Sequence, residues 1–397
     1  MEQFSIKNLG PISEASVEFG DLTFLVGPQA TGKSLFLETL KLVIDSGHIV
    51  RTLDTYSYAT GRAENILNAY YGDGMSKLWR ESTSATYGEK TYCGTSWLLE
   101  KGHEPSPKES LLYVPAQRIL SLSDGRPKNF MEFDAATPYV LRHFSETLRM
   151  FFGHITSMGD RVIQFKSDAE GAHHQTILYS RAEQEIFNNA DITIEEERGQ
   201  KKLFQRIDDM RVPFMSWSTG QKEFIPLLFV FYRLVDGEPY KYIIIEEPEM
   251  GLHPRAINTI ILQLLIFMQA GYRIIVSTHS PMFLEFAWAF NFLKSLKTSR
   301  FHEALAEILS MNNWEKDMTD KVSTKQIKTY FFQRNSDGKV STHDISSLDV
   351  DEPDSISYGW GELSAFSAKT ARIVSKYVVH HEQEKEQGGE ENVKEPA

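Results

Sequence analysis

The octapeptide GPQATGKS, residues 27–34, constrains this chain more than any other feature. It follows an apolar run, Leu22 to Val26, that reads as a buried strand. It precedes SLFLETLKLVIDSG, whose leucines recur at helical spacing. Few folds place a glycine-rich turn between a buried strand and a helix. Gly27 and Gly32 let the loop wrap so that its backbone N–H groups point inward at phosphate oxygens, and the helix N-terminus adds its positive end. Pro28, Gln29, Ala30 and Thr31 complete that loop, Lys33 reaches toward β- and γ-phosphates, and Ser34 offers a hydroxyl to Mg²⁺. The competing reading is a chance Gly/Lys turn, and the strand–loop–helix context speaks against it.

A second stretch, IIIEEPEMGLHP at 243–254, sets glutamates 246, 247 and 249 at the end of a run of isoleucines. Tyr242 to Ile245 reads as a strand buried on both faces. Carboxylates at the C-terminal edge of such a strand usually serve a metal or a proton transfer. Glu246 is placed to hold Mg²⁺, and Glu247 to polarise an attacking water. Glu249, after Pro248, is expected to form a salt bridge or cap the next turn rather than act in catalysis. IIVSTHSP places His279 just past another strand end. A lone histidine there would be an ordinary loop residue, but behind the other elements it reads as a γ-phosphate contact. In FMSWSTGQKEF, Ser218, Gly220 and Gln221 stand at a helix start, which alone would be a common capping sequence.

The 397 residues suffice for one large α/β domain with insertions, or for two domains. A single cysteine, Cys93, rules out an intrachain disulfide, and a reducing cytoplasm is the expected location. The start, MEQFSIKNLG, lacks the pattern of a signal peptide, and no apolar stretch approaches the ~18 residues that would span a membrane. Formal net charge is −12. Residues 380–397 hold six acids and two lysines, read as a disordered acidic tail. That balance argues against a general nucleic-acid coat, though not against a local basic groove.

From residue 217 a helix, the strand YKYIIIEE, a helix over about 255–269 and the strand YRIIVST complete an alternating β-α-β-α-β order, the signature of a parallel sheet. RVIQFKS, QTILYS, ADITIEE and KKLFQRI read as a run of antiparallel strands, 134–158 as helix, and 50–110 as mixed helix and polar loop. TYFFQR and KVSTHDI form a hairpin through Asn335-Ser336-Asp337-Gly338, with an edge expected to be free for a partner. The expected organisation is an ATPase-type domain over 1–285 with insertions near 50–110 and 120–210. An α+β region over 286–379 and the tail would follow.

The order GPQATGKS, WSTGQK, IIIEEPEMGLHP and STHS resembles that of the ABC-type ATPases. More narrowly it resembles the SMC, RecF and OLD branch, in which Glu-Pro-Glu followed by Leu-His-Pro recurs. FSIKNLGPISEASVEFGDLTFLVGP at 4–28 and LYVPAQR at 112–118 fit the same branch. The resemblance implies an α/β P-loop ABC-type ATPase head with a mixed or parallel core sheet, an antiparallel β subdomain and helical insertions. It implies hydrolysis of ATP with Mg²⁺. By position, Lys33 and Ser34 would bind phosphate and Mg²⁺, and Gln117 would contact the metal or water. Glu246 would complete the metal site, Glu247 would be the general base, and His279 would sense the γ-phosphate. Ser218 and Gly220 would contact ATP held by a second subunit, so a head-to-tail homo-oligomer is expected. Two departures stand out: Glu246 occupies a position where Asp is usual, and Thr219 occupies one where Gly is usual.

Three functions compete under that resemblance. A transporter subunit would need a membrane partner and a shorter interval between Ser34 and Ser218, and an SMC arm would need heptads that this chain lacks. A RecF-like DNA clamp stays open, with Arg198, Lys201, Lys202 and Arg206 either contacting phosphates or forming a solvated strand edge. The preferred reading resembles the OLD- or PARIS-type ATPase subunits of bacterial anti-phage defence, which control a separate effector, often a nuclease. Asp349-Val350-Asp351 fits a nuclease's Asp-x-Asp, but the preceding THDISSL is a poor buried strand, so an acidic surface loop is expected there.

Overall fold

A computed structural model describes residues 2–101, 108–154, 172–235, 240–311 and 316–348, together with 369, 370 and 373. Fifteen strands form among the described residues. They are β1 (Gln3–Leu9), β2 (Ile12–Glu18), β3 (Leu22–Val26), β4 (Trp79–Tyr87), β5 (Lys90–Cys93), β6 (Leu111–Val114), β7 (Leu122–Ser123), β8 (Arg126–Pro127), β9 (Asp191–Glu197), β10 (Gln200–Ile207), β11 (Met210–Pro213), β12 (Tyr242–Glu246), β13 (Arg273–Ser277), β14 (Ile327–Arg334) and β15 (Val340–Asp344). The helices are α1 (Lys33–Thr55), α2 (Ala63–Tyr71), α3 (Trp97–Lys101), α4 (Tyr139–His154), α5 (Ala172–Glu185), α6 (Thr219–Val235), α7 (Pro254–Gln269), α8 (Pro281–Leu293), α9 (Thr298–Ile308) and α10 (Lys316–Ser323).

One mixed sheet of ten strands carries the fold, in the order β5-β4-β1-β2-β15-β14-β3-β13-β12-β6. β3, β13, β12 and β6 run parallel, as the alternating strand–helix order requires. These strands are buried on both faces. In β12, Ile243 and Ile245 join the core under α6 and α7, while Tyr242 and Ile244 join the core under α1. β3 divides likewise, with Leu22, Phe24 and Val26 on one side and Leu25 on the other. A continuous apolar run is the price of burial on both faces. β9–β11 form a separate antiparallel sheet.

Three expectations are corrected. The β14–β15 hairpin offers no free edge: β14 pairs in parallel with β3, and β15 with β2, so residues 327–344 complete the sheet that carries the phosphate-type loop. QTILYS is not a strand but part of α5, where Leu178 and Ala182 are fully buried one turn apart. Within 50–110, read as helix and loop, β4 adds to β1 and β5 to β4, burying Thr83 and Ala85 at alternate positions. The RVIQFKS strand, Asp349–Asp351 and the 380–397 tail lie outside the described residues. Among the described residues, no helix is long and apolar enough to cross a membrane.

Candidate functional site

β3 delivers the chain into the loop at 27–34, and the two glycines there are required by their neighbours. Gly27 sits at φ 142°, and a Cβ would come within 2.5 Å of the Phe332 carbonyl on β14. Gly32 caps α1 in the left-handed region at φ 80°, with the Ile12 side chain 3.1 Å from where a Cβ would stand. No side chain caps α1, so its first-turn amides remain available to an anion. Arg334 Nη2 donates to the Ala30 carbonyl at 2.7 Å, and the Thr31 hydroxyl to Pro28 O at 2.8 Å, bracing the exposed tip formed by Pro28, Gln29 and Ala30.

Gln29, Ala30, Thr31, Gly32, Lys33 and Ser34 line a cavity of about 240 Å³ together with Glu247, Ser277 and His279. Lys33 is 6% exposed, and its Nζ donates to Gly27 O at 2.8 Å and Pro28 O at 3.0 Å. Burial pulls the ammonium down to about 8, against the pull of Glu247, Glu246 and Glu249. The cavity therefore offers one desolvated cation and a ring of amides, which is the chemistry of a polyphosphate site.

The acids at the end of β12 diverge in their environments. Glu246 is buried, which raises its pKa; the hydroxyls of Ser34 and Tyr113 and the Ala116 amide oppose that rise. Its Oε1 nevertheless completes no hydrogen bond. A buried carboxylate oxygen without a donor, beside the Ser34 hydroxyl, is an oxygen pair suited to Mg²⁺. Glu247 is half-buried, and its Oε1 lies 3.5 Å from His279 Nε2. That contact lowers its pKa; burial opposes it, and the charges of His279, Lys33 and Arg118 add to the lowering. Glu247 also holds a left-handed backbone at φ 42°, an uncommon state for a residue with a Cβ, fixed by its amide on Ser277 O at 2.8 Å.

Glu249 caps the loop at 278–280 rather than the turn that follows it in sequence. Its Oε1 accepts from the Thr278 hydroxyl at 2.7 Å, the His279 amide at 2.8 Å and the Ser280 amide at 3.1 Å. The residue that the sequence did not single out is Arg118. It is fully buried and donates to Pro115 O at 3.1 Å, Glu246 O at 2.7 Å, Glu247 O at 3.2 Å and Glu223 O at 3.0 Å. One guanidinium thus ties β6, the end of β12 and α6 together. Its neighbour Gln117 is exposed and does not line the cavity.

Ser218, Gly220 and Gln221 also stand apart from the cavity. Ser218 N donates to Gln221 Oε1 at 3.0 Å, and Gln221 N to Ser218 Oγ at 3.3 Å, a reciprocal capping box at the start of α6. Gly220 packs so closely on the turn after β12 that a Cβ would meet Gly251 O at 2.5 Å. Ser218 itself is exposed. Of the basic cluster, Arg206 pairs with Glu195 at 2.9 Å and Lys202 with Glu197 at 3.2 Å, Lys201 donates to Phe152 O, and Arg198 stands exposed on the turn between β9 and β10.

A glycine-rich loop on a two-face-buried strand, opposite a double-acid strand end and a histidine loop, defines a P-loop ATPase. A family model described as "AAA domain, putative AbiEii toxin, Type IV TA system" matches residues 102–285. The Old nuclease of Escherichia phage P2 is 42% identical over 354 residues, covering 74% of this chain and 59% of the phage protein. The chain thus spans 59% of that curated relative's length. Among solved structures, an SMC head bound to the C-winged helix domain of ScpA gives a TM-score of 0.41 at 11% identity, covering 86% of this chain and 96% of that one. The SMC head domain from Thermotoga maritima gives 0.32 at 13% identity, covering 86% and 97%. The motifs and the family model make this chain a P-loop ATPase, similar over 74% of its length to the Old nuclease of phage P2.

Proposed function

We propose that the chain binds ATP with Mg²⁺, hydrolyses it at a site completed by a second copy, and uses that cycle to control a separate effector of the nuclease class in anti-phage defence. The observation that carries the chemistry is Glu247 set 3.5 Å from His279 at the wall of the Lys33 cavity, a contact that lowers its pKa. Glu247 accepts the proton of the attacking water, and His279 orients the carboxylate and faces the γ-phosphate. Ser34 and Glu246 would hold Mg²⁺, with Gln117 contacting the metal or its water once the subunits close. Mg²⁺ supplies charge neutralisation on the phosphates. Ser218, which is exposed, with Gln221, half-buried, and Gly220, buried beside them, stands away from its own cavity, and these three contact ATP on the partner copy. The phage relative's name supports a nuclease as the output.

Two experiments test this. Ser218→Arg is expected to leave ATP binding by single subunits intact but to stop hydrolysis, because the added side chain blocks the paired state. Mixed with Lys33→Ala subunits, which are also inactive alone, it should regain activity through one intact composite site. No recovery at any mixing ratio would overturn the shared-site arrangement. In a metal-dependent nuclease assay the isolated chain is expected to leave DNA and RNA intact. Cleavage that disappears on Asp349→Ala and Asp351→Ala would show that the effector is built in.

A further inference from the structure

Away from the nucleotide cavity, α1 bends where Asp45 leaves helical geometry at φ −111°, ψ 22°. Asp45 Oδ1 accepts the Ser110 amide at 2.9 Å and Oδ2 the Leu111 amide at 3.1 Å, fastening the start of β6 to the helix. Lys41 directs its three N–H groups to Asp45 Oδ2 at 2.7 Å, Glu109 Oε1 at 2.6 Å and Leu111 O at 2.6 Å. Two carboxylates and one ammonium leave this largely buried group with one unbalanced negative charge, a costly state. His48, one turn past the bend, and His143 on α4 stand beside it. His143 Nδ1 is 3.5 Å from Glu109 Oε1, and the two imidazoles meet edge to face with centroids 5.4 Å apart. His48 Nδ1 is buried and meets no hydrogen-bond partner.

We propose that His48, Glu109 and His143 form a binding site for a transition-metal dication of the Zn²⁺ class. Their ligand atoms lie within 4.8 Å of one another. Tetrahedral bonds of about 2.1 Å set ligand atoms about 3.4 Å apart. The His143–Glu109 pair already has that spacing, so the His48 ring alone has to close. Two imidazoles and a carboxylate suit Zn²⁺ and its neighbours rather than Mg²⁺, which prefers oxygen.

The surroundings fix the ligands as outer partners of metal sites do. Lys41 holds Glu109 Oε1, the Tyr240 hydroxyl donates to Oε2 at 3.2 Å, and Tyr139 stacks on His143 at 5.1 Å. A bound dication offsets the residual negative charge and clasps α1, the start of β6 and α4. Two of these run on to the phosphate-type loop and to Arg118, so the metal braces the nucleotide site from behind.

The full chain, stripped with a chelator and titrated with Co²⁺, is expected to bind about one equivalent with the visible absorption of tetrahedral cobalt. Zn²⁺ should displace it and raise the melting temperature. His48→Asn with His143→Asn should abolish the absorption and weaken Zn²⁺ binding at least about a hundredfold, and Tyr240→Phe should weaken it about tenfold. Cys93→Ser should change nothing, since Cys93 is exposed on β5 and outside the site. Circular dichroism on each variant separates loss of the site from loss of the fold. The proposal is overturned if the unaltered chain takes up no stoichiometric Co²⁺ or Zn²⁺, a result that needs no variant. It is equally overturned if binding survives in the folded double histidine variant or disappears with Cys93→Ser.

Discussion

Lys33→Ala is expected to abolish nucleotide binding, weakening it about a hundredfold or more. A charge-assisted contact to phosphate contributes up to about 3 kcal/mol, and each 1.4 kcal/mol is about tenfold in affinity. The loss here is larger than a surface estimate, because Lys33 is buried and offsets Glu246, Glu247 and Glu249 around one cavity. Without it, a polyphosphate would face those carboxylates with no cationic side chain of the loop in support. The same burial predicts a pH signature. With its pKa drawn down to about 8, the free Lys33 loses its proton as pH rises through that value. Phosphate raises the pKa again, so above about 8 binding must take up a proton and affinity falls. Calorimetric titration on both sides of pH 8 should show that slope in the unaltered chain and not in Lys33→Ala. Ordinary ATP affinity in the variant would remove the loop from phosphate binding.

How far the sequence reveals such a site depends on how local its causes are. GPQATGKS is legible because the glycines, the helix start and Lys33 act within eight residues. β12 is legible because burial on both faces leaves a continuous apolar run, and the acids that end it stand out by contrast. Arg118 is different. Its partners, Glu223, Glu246 and Glu247, are remote in sequence, and nothing in LYVPAQR distinguishes an arginine in the core from one on the surface. Gln117, the residue the motif points to, is exposed, while its neighbour joins three elements. The β14–β15 hairpin reads locally as a free two-stranded unit; only pairing with β2 and β3 makes it central. In α5, a run rich in β-forming residues is overridden by the face that buries Leu178 and Ala182. Ser218 and Gln221 fit both a capping box and a partner contact, so their local geometry satisfies the first without deciding the second.

Glu247→Gln is expected to retain ATP within a few-fold of the unaltered affinity while hydrolysis falls by about 10²–10⁴-fold, the usual worth of a positioned general base. The amide keeps the size of the side chain, and the left-handed backbone at 247 stays anchored by Ser277 O and Arg118 Nη2, so the cavity should keep its shape. What it loses is the ability to accept the water's proton. The neighbouring acids are poor substitutes. Burial raises the pKa of Glu246, which disfavours its charged form, and Glu249 Oε1 is occupied by Thr278, His279 and Ser280. Glu247 is half-exposed and paired with His279 at the cavity wall, a contact that lowers its pKa. Because hydrolysis would reopen the paired subunits, the variant should also accumulate an ATP-dependent dimer. Single-turnover phosphate release and light scattering with and without ATP read the two effects separately. Hydrolysis near the unaltered rate would move the base to Glu246 or Glu249, and the hydrogen-bonding and burial of those two residues would then have to change when ATP binds.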